Sequence, residues 1–224
     1  MNKQKTTLPD AFTQQLWYKI ESIYHRILAH PFNVELAAGT LSPDKFQYYV
    51  QQDELYIQSY ARALAMLAVK SPTSDISENL LRYAKDGISI ERALHDHYFK
   101  KFNIKPAREV QPACLAYTNF LLSSTVLEPF EVGIAALLPC FWIYRQVGFD
   151  IAQKADKSNP YYLWIETYID QEYDSIVNRM IEITESVARA ASVTIKAKMH
   201  RAFLYSTRLE WIFWDAAYRL EQWP

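Results

Sequence analysis

Glycine is scarce in this chain, with 4 residues in 224. Left-handed turns of the kind that hairpin-rich β folds need are correspondingly few, and no alternating strand pattern bounded by hairpin signals occurs. Cysteine is scarcer, limited to Cys114 and Cys140. Two thiols are too few for a disulfide framework, which points to a reduced, cytoplasmic setting. Charge of one sign is also missing, because 24 Lys and Arg oppose 25 Asp and Glu for a formal net charge of -1. No basic field therefore invites nucleic acid and no charged face invites a membrane, leaving small neutral or polar molecules as the expected partners. Long hydrophobic runs are absent as well. The longest, Val132 to Tyr144, has 13 residues and contains a proline, too short to span a bilayer. The polar start MNKQKTTLPDAF leads into no signal-peptide core. No internal repeat or low-complexity linker divides the chain. One soluble domain, residues 1–224, is expected, large enough to be stable without cross-links.

What is abundant is apolar and aromatic. Half of the residues are hydrophobic and 15% are aromatic. Apolar positions recur at three- and four-residue spacing and prolines fall between the periodic segments, so the chain reads as an all-α bundle. The expected helices run from about Pro9 to His30, Phe32 to Ala38, Pro43 to Val69, Asp75 to Phe102, Pro112 to Leu127, Pro129 to Lys154, Pro160 to Tyr168, Gln171 to Ala190 and Ser192 to Leu220. Pro31 stops the first and Gly39 ends the second. Ser42 is expected to cap the third, with Pro43 at its first position and Asp44 complementing the positive helix end. Short connections at 71–75 and 155–160 predict that successive long helices return antiparallel, with ligand sites between them.

Four groups stand out chemically. In EVGIAALLPCFWIYR, residues 131–145, Cys140 follows Pro139 and shares a helical face with Tyr144. Pro139 predicts a kink and leaves the Ala135 carbonyl without its helical donor. Taken alone the stretch reads as core, since free cysteine is among the most buried residue types. Asp53, in YYVQQDELYIQSY, lies one turn before Tyr56 among apolar and aromatic neighbours, where a carboxylate needs partners such as tyrosine hydroxyls or a helix end. Glu210 sits between Leu209, Trp211, Phe213 and Trp214, where desolvation raises a carboxyl pKa toward the range of proton transfer. Tyr117 and Tyr168 are weaker signals among 16 tyrosines.

Taken in order, Asp53 with Tyr56, Tyr117, Cys140 with Tyr144, Tyr168, and Glu210 with Phe213 resemble the thiaminase II family, the TenA-type aminopyrimidine aminohydrolases. The resemblance is carried by HPFNVELAAGTLSPDKFQYYVQQD, AALLPCFWIYRQVG and LEWIFWDAAYRLE. It implies a haem-oxygenase-like fold without haem, no cofactor, no metal and a homotetramer. It also implies a substrate, thiamine or 4-amino-5-aminomethyl-2-methylpyrimidine, cleaved to 4-amino-5-hydroxymethyl-2-methylpyrimidine. In that scheme Cys140 is the nucleophile, Glu210 the acid/base and Asp53 the partner of the amino-pyrimidine edge. Tyr144 and Tyr168 contact substrate, and Tyr56, Tyr117 and Phe213 complete the pocket.

Glu54, after Asp53, departs from the aromatic residue expected there; facing the pocket, it makes the leaving-group side more acidic, and otherwise it faces solvent. Two other classes remain. A metal-dependent oxidase of the same fold calls for carboxylates with histidines, yet none of His25, His30, His95, His97 and His200 has an acidic residue three positions earlier. Glu91 with His95 is the one suggestive pair, and its charged neighbours Arg92, Asp96, Lys100 and Lys101 suggest a solvated face. A non-catalytic pyrimidine-binding or regulatory protein needs the pocket but no thiol. The exposed aromatic end at Trp223 suits a subunit contact.

Overall fold

The computed structural model describes residues 11–107 and 109–224, and the side chains of these except at 89–92. The helices are α1 Phe12–Leu28, α2 Pro31–Ala37, α3 Pro43–Val69, α4 Ser74–Phe102, α5 Pro112–Leu127, α6 Phe130–Ala152, α7 Tyr162–Tyr168, α8 Gln171–Ala190 and α9 Val193–Arg219, with no strand among the described residues. Their bounds follow the expected ones closely; the start expected at Pro9 lies outside the described residues.

Local chemistry explains the ends. Thr73 accepts from the Ile76 N–H, Asp170 from Glu172 and Tyr173, and Ser192 from Ile195, each satisfying an amide that the first helical turn leaves unpaired. Ser42 occupies the expected N-cap position but its side chain makes no capping bond, leaving Pro43 and Asp44 to start the helix. At α1 the Glu185 carboxylate reaches across from α8 to accept from the amides of Phe12 and Thr13. After α2 the chain turns through Gly39 at φ +70, a left-handed conformation that disfavours side chains, with Pro160 close by.

The long helices return antiparallel. Along α3 and α4, Ser77 bonds the Ala68 carbonyl, His95 meets Asp53, and Gln51 reaches the Lys105 carbonyl. Along α5 and α9, Ala113 meets Glu221, Tyr117 meets Ser206 and Glu210, and Glu128 meets Lys198. Helix α6 runs through Pro139 without a break and lies at the centre, packed on α9, α8, α5 and α7. Its 23 residues are apolar and long enough by composition to cross a membrane, but 83% of its most apolar window is buried inside the protein. It is a core helix. Trp223 turns back onto its own chain, its indole N–H donating to the Val110 carbonyl and its amide to Gln111, so the aromatic end is partly consumed within the fold.

Candidate active site

Helical spacing sets the first wall of a cavity. On α3, Asp53, Tyr56, Ile57 and Tyr60 fall three and four residues apart and so project from one face. Opposite them α6 presents Cys140, Phe141 and Tyr144. Tyr168 of α7, Tyr173 of α8 and Tyr83 with Gly87 of α4 close the sides. The enclosed and partly open space amounts to about 550 Å³. Five of the eight site residues read from the sequence, Asp53, Tyr56, Cys140, Tyr144 and Tyr168, line this cavity together.

The α6 wall is held by tyrosines. The Tyr60 hydroxyl donates to the Leu137 carbonyl at 2.8 Å and the Tyr173 hydroxyl to the Phe141 carbonyl at 3.1 Å, on either side of Cys140. Tyr168 is seated by a close approach: a Cβ on Gly148 of α6 would stand 2.7 Å from the Tyr168 Cβ, so only glycine admits α7 at this distance. Tyr168 then packs on Tyr144 at 5.1 Å between ring centroids. Tyr49 adds a hydroxyl contact to Tyr144 at 3.4 Å.

Glu210, Tyr117 and Phe213 do not line the cavity; they form the layer behind Tyr56, whose ring packs on Tyr117 at 5.0 Å and on Phe213 at 5.6 Å. Within this layer the Tyr117 hydroxyl donates to Glu210 Oε1 at 2.6 Å and lies 2.9 Å from Ser206 Oγ. Glu210 is 1% exposed. Burial pushes its carboxyl up to about 8, the Tyr117 hydrogen bond pulls it part of the way back, and the charge of Asp53 raises it further. Near neutral pH such a group exchanges a proton readily. Burial, with the nearby Cys140 thiol and Glu210 carboxyl, holds the hydroxyls of Tyr56 and Tyr117 well above the usual tyrosine range. The Tyr56 hydroxyl is buried with no hydrogen-bond partner among the described residues. Cys114, by contrast, is fully buried against the Gln52 carbonyl, and burial pushes its thiol up to about 12.

Asp53 finds its partner in a residue the sequence had placed elsewhere. His95 Nε2 lies 3.1 Å from Asp53 Oδ2, and both side chains are buried. The reading of His95 as part of a solvated face is therefore wrong, because α4 turns this position onto α3; the Glu91 side chain lies outside the described residues. A buried carboxylate with no partner in its own helix was the one signal for it. Glu54 lines a separate, more polar hollow with Gln58, His95 and Asp96, which shares Ile57 and Ile88 with the main cavity. Ser206, Tyr60, Tyr83 and Tyr173 carried no distinguishing signal among so many hydroxyl residues. Among the described residues no three His, Cys, Asp or Glu side chains are grouped as metal ligands.

Residues 17–220 match the family described as TENA/THI-4/PQQC. The aminopyrimidine aminohydrolase of Halalkalibacterium halodurans is 31% identical over 219 residues, covering 95% of this chain and 98% of the relative. The thiamine biosynthesis multifunctional protein ThiED of Corynebacterium glutamicum is 31% identical over 93% of this chain, which spans 27% of that longer protein. Among solved structures, a TenA homologue from P. horikoshii OT3 superimposes with a TM-score of 0.82 at 29% identity, covering 93% of this chain and 99% of the other. A heme oxygenase-like domain of unknown function from Shewanella denitrificans, 14% identical over 96% of this chain and 94% of the other, has a TM-score of 0.70 and shares the fold alone. The all-α bundle thus has the haem-oxygenase-like fold, and the chain belongs to the TENA/THI-4/PQQC family.

Proposed function

We propose that this chain is an aminopyrimidine aminohydrolase of thiamine salvage. It cleaves the C–N bond on the methylene arm of a 4-amino-2-methylpyrimidine and releases 4-amino-5-hydroxymethyl-2-methylpyrimidine. The observation that carries this reading is the meeting of a thiol and a carboxylate, Cys140 and Asp53, on the walls of one aromatic cavity. The cavity walls suit a flat ring, and Asp53 pairs with the amino group and adjacent nitrogen of the pyrimidine. The Cys140 thiolate adds to the ring carbon opposite the amino-bearing edge while Glu210 delivers a proton to the ring nitrogen. The electron pair gained by the ring then expels the group on the arm, ammonia from the ammonium form of the amine or neutral thiazole from thiamine. Water adds to the exocyclic methylene and releases a proton to solvent, and return of the ring-nitrogen proton to Glu210 with loss of the thiolate restores aromaticity. Glu210 reaches the ring from behind Tyr56, a gap that closes as substrate seats, since catalytic contacts often tighten only in the complex. Tyr144 and Tyr168 hold the ring, and Tyr56, Tyr117 and Phe213 back it.

The chain is taken to act as one domain, with a core running from Phe12 to Ala217, and as a homotetramer in the cytoplasm, where its two cysteines stay reduced. A product assay on the purified chain with thiamine and with 4-amino-5-aminomethyl-2-methylpyrimidine tests the reading. Formation of the hydroxymethylpyrimidine from at least one is expected, and its absence from both overturns it. Activity is expected to survive exhaustive chelation; loss of turnover with removal of a stoichiometric metal favours the oxidase class instead.

A further inference from the structure

Three glycines lie inside helices, and two have a packing reason. A Cβ on Gly133 would stand 2.6 Å from Leu67 Cδ1, and one on Gly148 would strike Tyr168. Gly87, in the middle of α4, has none: a Cβ there meets no described atom within 4 Å. Glycine weakens a helix interior, so a mid-helix glycine with free space around it calls for a functional reason. Its location supplies one. Gly87 stands where the main cavity continues into a second hollow, and Tyr83, Phe141, Tyr168 and Tyr173 line both spaces. Asp86 is reached only on the far side, in the second hollow.

Resting on the hydrolase reading, we propose that Gly87 is the specificity-determining residue for the leaving group. Its missing side chain leaves a passage through which a ring-sized, positively charged group on the arm extends toward Asp86. The chemistry of the walls matches such a group. Tyr83 and Phe141 pair edge to face at 6.2 Å, and Tyr168 and Tyr173 do so at 5.4 Å, so aromatic faces flank the passage and favour a flat cation. The Asp86 carboxylate complements its charge. The aminomethylpyrimidine releases only ammonia and needs no such room, whereas thiamine carries a thiazolium ring.

The test is the ratio of kcat/KM for thiamine to kcat/KM for 4-amino-5-aminomethyl-2-methylpyrimidine in wild type, Gly87→Ala, Gly87→Leu and Asp86→Asn. Gly87→Leu is expected to lower the ratio roughly 10- to 200-fold, the range that pocket size discrimination supplies. Gly87→Ala, which favours the helix and so folds, shifts it less in the same direction, and Asp86→Asn lowers it by a few-fold in low salt and less in high salt. An unchanged ratio in the Gly87 variants overturns the inference, as does a wild type that hydrolyses the amine but not thiamine; both outcomes leave the hydrolase reading standing. A wild type inactive on both substrates removes the reading and the inference together.

Discussion

His95 on α4 and Asp53 on α3 meet at 3.1 Å inside the protein, 42 residues apart in sequence. With the Nε2–H tautomer His95 donates to the Asp53 carboxyl oxygen, a contact that restrains a side chain lining the cavity. On the proposed reading of Asp53, His95 is a positioning residue. His95→Ala is expected to raise KM more than it lowers kcat, with His95→Gln recovering part of the loss through its amide donor. In a double-mutant cycle the effect of His95→Ala shrinks markedly once Asp53 is Asn; full additivity refutes the coupling.

Cys140 and Cys114 are expected to separate cleanly. Cys140→Ser keeps the fold and the binding of hydroxymethylpyrimidine while turnover falls by orders of magnitude, because a hydroxyl is a far weaker nucleophile near neutral pH. Cys114→Ser, in a thiol held protonated by burial and outside the cavity, leaves the reaction working. Wild-type rates in Cys140→Ser return that thiol to a packing role.

Glu210 makes two predictions, one kinetic and one thermodynamic. Glu210→Gln keeps the volume but cannot exchange a proton, so kcat is expected to fall about 100- to 10,000-fold. A carboxyl near 4.5 in the unfolded chain and about 8 in the fold contributes stability that is complete below pH 4.5 and is lost as pH rises to about 8. Glu210→Gln has no such titration, so thermal melts from pH 4.5 to 8.5 should show wild type losing ground to the variant across this window. Parallel melting curves contradict the raised pKa.

Tyr117 tests the same carboxyl from its other side. Its hydrogen bond is the interaction that pulls Glu210 down, so Tyr117→Phe is expected to move the limb of the kcat profile that belongs to Glu210 to higher pH. A purely structural Tyr117 would lower activity without moving that limb.

The helical glycines Gly148 and Gly87 should respond to alanine with opposite signs. Gly148→Ala forces Tyr168 away and is expected to destabilise the fold by about 1–3 kcal/mol and to raise KM, although Gly148 itself does not line the cavity. Gly87→Ala has room for its methyl among the described residues and gains about 0.5–1 kcal/mol from helix propensity, read as a higher Tm.

Helix limits were legible in the sequence because their causes are local. Proline, glycine, capping side chains and apolar spacing act within a turn or two, and they placed α3 at Pro43–Val69 and α5 at Pro112–Leu127. The shared face of Cys140 and Tyr144 was legible for the same reason, and the burial of Glu210 followed from its aromatic neighbours. Periodicity says which face of a helix turns inward, but not which residue of which other helix it meets. The antiparallel docking of α4 on α3 decided that His95 serves Asp53 and that Glu54 turns to a side hollow. The docking of α5 on α9 decided that Tyr117 and Ser206 hold Glu210 behind Tyr56 rather than at the cavity surface. These contacts join positions 42 to 93 residues apart, and only the packed bundle, where every ridge must find its groove, selects them.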